Sequence, residues 1–333
     1  MKLQNNISKL SLFVVGAVLS ACGGTSNPLE RPTAASGTMT SAIASGLAGQ
    51  SFTSKFGKSA VGIVDGSAYG ASTSVSMMSV ESSQQQALSD LFATTQAIHA
   101  SVVGTNGSSP SLHTMTDSMG CDPTKTPATP VDADSDGIYA TATLSYSCSV
   151  DFLGTPASVS GTITMTDKDD TTKFGGFSVG LSNLAVDIPS LMKTTINATI
   201  TGTKGTSTYT GVFDMAADIT AAQSSGNGTV GIYTDITVTP TDMTAPSDAG
   251  AVSTFSGFVK YKGSGNGQSI DLVLSYVGAN LTYVKSGGSC AANGFNAGTL
   301  TMTDGAAHHL VATFGSDCTA TYTFDGASVT PAL

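Results

Sequence analysis

The chain has no tryptophan among its 333 residues, and only 11% of them are charged, against roughly a quarter in ordinary globular proteins. Basic residues are the scarcest: 13 Lys and Arg face 23 Asp and Glu, for a formal charge of −10. Phosphate backbones are gripped by basic faces, so this balance argues against a nucleic-acid partner. No apolar run reaches the roughly 20 residues that a membrane-spanning helix needs. No phosphate-binding loop or dinucleotide fingerprint occurs either. Ser, Thr, Ala and 38 Gly fill the deficit, a composition that suits an exported β-protein whose solvent-facing positions are hydroxyls.

The N-terminus carries the clearest signal. Lys2 and Lys9 form a short basic head, Leu10 to Leu19 is apolar, and Leu19-Ser20-Ala21-Cys22-Gly23 follows. An apolar run of about ten residues is too short to span a bilayer but fits a cleaved signal peptide. The stretch resembles the signal sequence and lipobox of bacterial lipoproteins. That resemblance implies removal of residues 1–21 and acylation of Cys22, palmitate included. Cys22 then becomes the mature N-terminus, lipid-anchored to a membrane. Gly23 in place of Asp implies sorting to the outer membrane, on a periplasmic or a surface-facing side. Residues 22–50 read as a flexible tether and 51–333 as a β-rich domain.

With Cys22 assigned to lipid, four cysteines remain: Cys121, Cys148, Cys290 and Cys318. An even number in an exported chain argues for disulfides. Three pairings are open. Spacing favours Cys121–Cys148 and Cys290–Cys318, closing loops of about 27 and 28 residues, each worth roughly 3–4 kcal/mol on the chain-entropy account.

From about 79 to 103, Leu88, Leu91, Phe92, Thr95, Ile98 and Val102 recur at three- and four-residue spacing, predicting an amphipathic helix. The pattern then turns to period two. Ile138 to Phe152 alternates along its length, as do runs near 159–165, 177–188, 196–202, 209–221, 230–238, 255–261 and 270–276. Shorter runs at 281–284, 300–302, 310–314 and 318–324 complete the series. Leu181 and Leu184 lie on opposite parities, which predicts a bulge or bend between them. Together these describe a mainly-β fold: a large curved antiparallel sheet of ten to twelve strands, open-barrel or sandwich-like, with the N-terminal helix packed on it. The similar runs at 121–152 and 290–324 raise the prospect of two pseudo-repeated halves. Alternation and low charge also permit a membrane barrel, but the absence of Trp and of an aromatic girdle speaks against one.

Asp132-Ala133-Asp134-Ser135-Asp136-Gly137 is the sharpest chemical motif. Carboxylates at alternate positions before a Gly can wrap oxygens round Ca²⁺. The run resembles the first half of EF-hand and thrombospondin type-3 calcium loops, which implies Asp132, Asp134 and Asp136 as ligands. It departs from them at Ala140 and Thr143, where the ninth and twelfth ligands would fall. The bland alternative is an acidic turn before a strand.

Gly176-Phe177-Ser178-Val179-Gly180 matches G-x-S-x-G, and Asp187 and His308 or His309 follow in hydrolase order. That motif needs a strand-to-helix elbow, whereas Ser178 sits within an alternating strand. Ser190-Leu191-Met192-Lys193 matches S-x-x-K without its partner motifs. His308 and His309 are adjacent, so on a strand they point to opposite faces and do not suit one metal ion. His99 and His113 have no metal spacing.

No catalytic set emerges. The expectation is a non-enzymatic structural or binding module of the cell envelope, held to the membrane by lipid and meeting an envelope protein. The alternative is a carrier of lipophilic ligands between sheet and helix. Lipoprotein carriers of the LolA or LppX kind resemble this plan in architecture alone. A serine hydrolase is the third option.

Overall fold

The computed structural model describes residues 29–49 and, apart from short links between strands, 123–331. The signal peptide, Cys22, the helix expected at 79–103, Cys121, Asp136 and Cys290 lie outside the described residues. The chain is mainly β. Among the described residues, one helix, α1 (Ser41–Gly49), precedes thirteen strands in a single antiparallel sheet. They are β1 (Thr124–Thr126), β2 (Ala142–Phe152), β3 (Thr155–Asp167), β4 (Gly176–Ile188), β5 (Met192–Lys204), β6 (Tyr209–Ala221) and β7 (Gly226–Thr239). After them come β8 (Val252–Gly265), β9 (Gln268–Val284), β10 (Gly294–Thr303), β11 (His309–Phe314), β12 (Ala320–Phe324) and β13 (Ala327–Ser328). Spatial order equals sequence order, so every strand pairs with its neighbours in the chain. Each connection is local, and each strand's orphan backbone groups are met by the strands that flank it.

Period-two patterning decides which face is buried. Leu144 and Tyr146 on β2, Ile163 and Met165 on β3, Val179 and Leu181 on β4, and Ile200 on β5 all point to one side. Ile236, Val259, Leu274, Leu300 and Leu310 continue that side across β7 to β11, and all belong to one hydrophobic cluster. The other face bears Ser145, Ser147, Ser149, Ser158, Ser160, Thr164 and Thr199, all exposed. Hydroxyls there keep the surface wet without charge, which accounts for the low proportion of ionised residues. A membrane barrel requires the reverse, an apolar band facing outward. No helix among the described residues is long and apolar enough to cross a membrane.

The parity change in β4 is a bulge. Register shifts between Leu181 and Leu184, and Asn183 adopts φ 49°. Opposite it on β3, Gly161 has φ 123°, and a Cβ there would sit 2.4 Å from the Asn183 carbonyl oxygen. The device recurs in β9. Asn280 has φ 52°, and a Cβ on Gly298 of β10 would lie 2.5 Å from its carbonyl oxygen. The runs at 270–276 and 281–284, expected as two strands, are therefore one 17-residue strand with a bulge in it. Each bulge flips the facing once, so Leu184 and Leu281 both return to the core, at 2% and 0% exposure.

Residues 29–49, expected to be tether, are folded onto the sheet. Ser36 and Val273 exchange two backbone hydrogen bonds of 2.9 Å, which places Ser36 beside β9 where β10 has ended. Met39, Ala44 and Leu47 then enter the same core as the strands. Low charge and high Ser and Gly content make this segment look like linker. Its few apolar residues, set at 39, 43, 44 and 47, are what bury it.

Candidate functional site

Three carboxylates converge at one end of the sheet. Oxygens of Asp132, Asp134 and Asp170 all lie within 4.8 Å of one another, and each residue is partly buried. Two acidic turns supply them: the 132–137 motif ahead of β2, and the turn after β3. The Ala133 N–H donates to Asp170 Oδ1 at 2.8 Å, tying the turns together. Calcium binds oxygens at about 2.3–2.6 Å, so oxygens across one ion are up to about 5 Å apart, and this trio fits that shell. The structure thus brings together two of the three residues expected from the motif. It adds Asp170, which the linear pattern could not nominate because its neighbour in space is 37 positions away in sequence. Nearby, burial raises the Tyr139 phenol's pKa, and the negative charge of Asp132 adds to the effect.

The hydrolase residues are not assembled. Ser178 and Asp187 lie toward opposite ends of β4 on its outward face, about 30 Å apart at 3.3 Å per residue. His308 Nδ1 pairs instead with Asp325 Oδ2 at 2.7 Å, and His309 Nδ1 lies 2.9 Å from the Thr303 hydroxyl. Asp325 is held below the ordinary carboxylate range, chiefly by the His309 N–H and, against a small burial penalty, by His308. Asp325 has φ 49° and Gly326 φ 80°, the paired positive angles of a tight hairpin turn. The two histidines brace this turn and face different partners.

Two further constellations escape sequence reading because their members are remote in the chain. Arg31 donates through Nε (3.1 Å) and Nη2 (2.7 Å) to Asp214 Oδ1 on β6, and through Nη1 (2.5 Å) to Asp235 Oδ2 on β7. Burial works against the guanidinium charge, but the hydrogen bonds to Asp235 and Asp214 outweigh it and raise its pKa. Both aspartates lie on the outward face, next to the fully buried Tyr233. On the inward face, Tyr276 of β9 crosses Gly257 of β8 to reach β7, where its hydroxyl meets the Thr234 hydroxyl and donates to the Tyr233 carbonyl at 3.1 Å.

Cys148, on the inward side of β2, and Cys318, in the turn before β12, are each disulfide-bonded. Comparison with protein-family models, with curated proteins and with solved structures finds no match in any of the three.

Proposed function

We propose that the chain is an exported lipoprotein, anchored through Cys22 to the outer membrane, whose β-domain is a non-catalytic structural or binding module of the envelope. The observation that carries this reading is the outward face of β2 to β5, where exposed Ser and Thr hydroxyls repeat on neighbouring strands. Such a face forms hydrogen bonds without strong fields, and suits a neutral polar partner in the envelope. The sheet is taken to curl as an open barrel around its apolar side. Asp132, Asp134 and Asp170 are assigned as a structural calcium site joining two turns. The test of the module is binding of the chain lacking residues 1–22 to isolated envelope fractions. Glutamates at Ser147, Ser160 and Thr195 should abolish retention, and equal retention by that variant would rule the face out.

A second reading, a carrier of lipophilic ligands, is favoured by one specific observation. Phe213, Met215 and Tyr261 point to the apolar side yet stay partly exposed, unlike the sealed positions around them. Solvent therefore reaches that side near β6 to β8. Native mass spectrometry of the same soluble chain should reveal bound lipid, and clean apo-protein after expression in lipid-rich cells would dismiss the carrier.

A further inference from the structure

We infer that the outward face of β6 to β9 is the membrane-proximal side of the domain, held toward the bilayer surface by a leash too short to let it turn away. The inference rests on the lipoprotein reading of Cys22 and adds an orientation to it. Folded structure begins almost at once after the anchor: Arg31 is fixed to Asp214 and Asp235 on the outward face of β6 and β7. Nine positions separate Cys22 from Arg31. A chain of that length spans at most about 30 Å when fully extended, and a random chain of that length averages roughly 17 Å. The outward face of β3 lies four strands from β7, about 19 Å further across the sheet at 4.8 Å per strand. A leash of that average reach keeps β6 and β7 nearer the lipid than β3.

The chemistry of the favoured side agrees. The described residues include three large apolar side chains that stand exposed, and two of them, Val252 and Val277, are on β8 and β9. Both face outward, since their neighbours Ser253 and Tyr276 are the buried ones. Three of the four carboxylates there are matched, Asp214 and Asp235 by Arg31 and Asp271 by Lys262 at 3.7 Å, while Asp218 accepts from the Thr229 hydroxyl. Lys260 adds a further cation. In a chain of net charge −10, this is a side that a headgroup layer tolerates. The hydroxyl face of β2 and β3 is left turned toward other partners.

The lack of tryptophan makes the test direct. Val277→Trp and Ser160→Trp each place one donor on an exposed position, on β9 and β3 respectively. The full lipid-bearing chain is reconstituted in phosphatidylcholine vesicles containing a dansyl-headgroup lipid, and energy transfer is measured. Transfer from Val277→Trp should exceed that from Ser160→Trp by roughly twofold or more, and a flexible spacer of about 20 residues inserted after Ser26 should erase the difference. Equal transfer from the two positions, or a difference that survives the spacer, overturns the leash. Mass spectrometry of the N-terminal peptide is read first. An unmodified Cys22 sinks the lipoprotein reading itself and the orientation with it, whereas a lipid-bearing Cys22 with equal transfer sinks only the orientation.

Discussion

The Asp304 carboxylate accepts the backbone N–H of Met39 at 2.5 Å, a bond across 265 residues of sequence. The same side chain accepts from the Ala306 and His308 N–H groups at 2.9 Å, so one buried carboxylate shapes the β10–β11 turn and also fastens the N-terminal segment. Burial alone would raise its pKa; the donors at Met39, His308 and Ala306 outweigh that and lower it. A depressed carboxylate contributes stability above its unfolded pKa, about 3.9, and loses it as pH falls through the folded value. Asp304→Ala should therefore cost about 1–3 kcal/mol at neutral pH. The gap between wild type and variant should shrink below about pH 4. Denaturant melts across pH check this, and a gap independent of pH would refute it. Limited proteolysis should also cut the variant first between residues 31 and 40.

Gly257 is a packing requirement. A Cβ on it would fall 1.7 Å from the Tyr233 carbonyl oxygen. Gly257→Ala should cost about 3 kcal/mol or more, because β7 and β8 must part to admit the methyl. Tyr276→Phe keeps the ring and removes the hydroxyl's two hydrogen bonds, and should cost about 1–2 kcal/mol. If thermal unfolding ranks the two variants the other way, backbone approach is not what selects glycine here.

The bulge opposite Gly161 gives a sharper comparison. Gly161→Ala meets both a positive φ and the Asn183 carbonyl, and should cost about 2 kcal/mol or more. Asn183→Gly, which frees the same bulge, should be nearly neutral, losing only local packing. The Asn183 N–H donates to the Asn197 side chain at 2.9 Å, and that bond survives the change. Equal losses for the two variants would count against the bulge as the source of strain.

That bulge also marks how far the sequence is legible. Leu181 and Leu184 change parity in the bare letters, and the structure places the register shift between them. Strand β6 is readable to the residue, from Tyr209 to Ala221, because alternation is a property of neighbours two positions apart. Asp170, Asp304 and Arg31 were not readable in that way. Each acts on a residue tens to hundreds of positions away, and only the folded sheet says which. The 29–49 segment looked like linker for the same reason, since its docking partners lie on β6 to β12 and leave no periodic trace in the segment itself.

The register of β1 on β2 pairs Thr124 with Ser145 and Thr126 with Thr143. β2 also carries Cys148, which is disulfide-bonded. Cys318 is also disulfide-bonded, and the near-equal spacings favour the local pairings Cys121–Cys148 and Cys290–Cys318 over the other two. Non-reducing peptide mapping should recover Cys121–Cys148 and Cys290–Cys318. Loss of either bond should cost roughly 3–4 kcal/mol. A cross-linked peptide joining positions 121 and 290 would contradict the local pairing.

Asp132, Asp134 and Asp170 decide the calcium assignment. Three like charges with oxygens within 4.8 Å of one another repel, and an ion in their midst replaces that repulsion with attraction. The apparent stability gained depends on free calcium relative to its Kd, reaching about 2.7 kcal/mol at one hundred times Kd. The melting temperature of the chain should therefore rise with calcium over a millimolar range and return with a chelator. Asp170→Asn should weaken the response, although residue 170 lies outside the Asp-x-Asp motif, and should itself raise stability in chelator by relieving repulsion. Magnesium demands tighter octahedral geometry and should shift the melt less. A melting temperature indifferent to calcium and to chelator would make the trio a plain acidic turn, whose Ala133–Asp170 hydrogen bond is then its whole purpose.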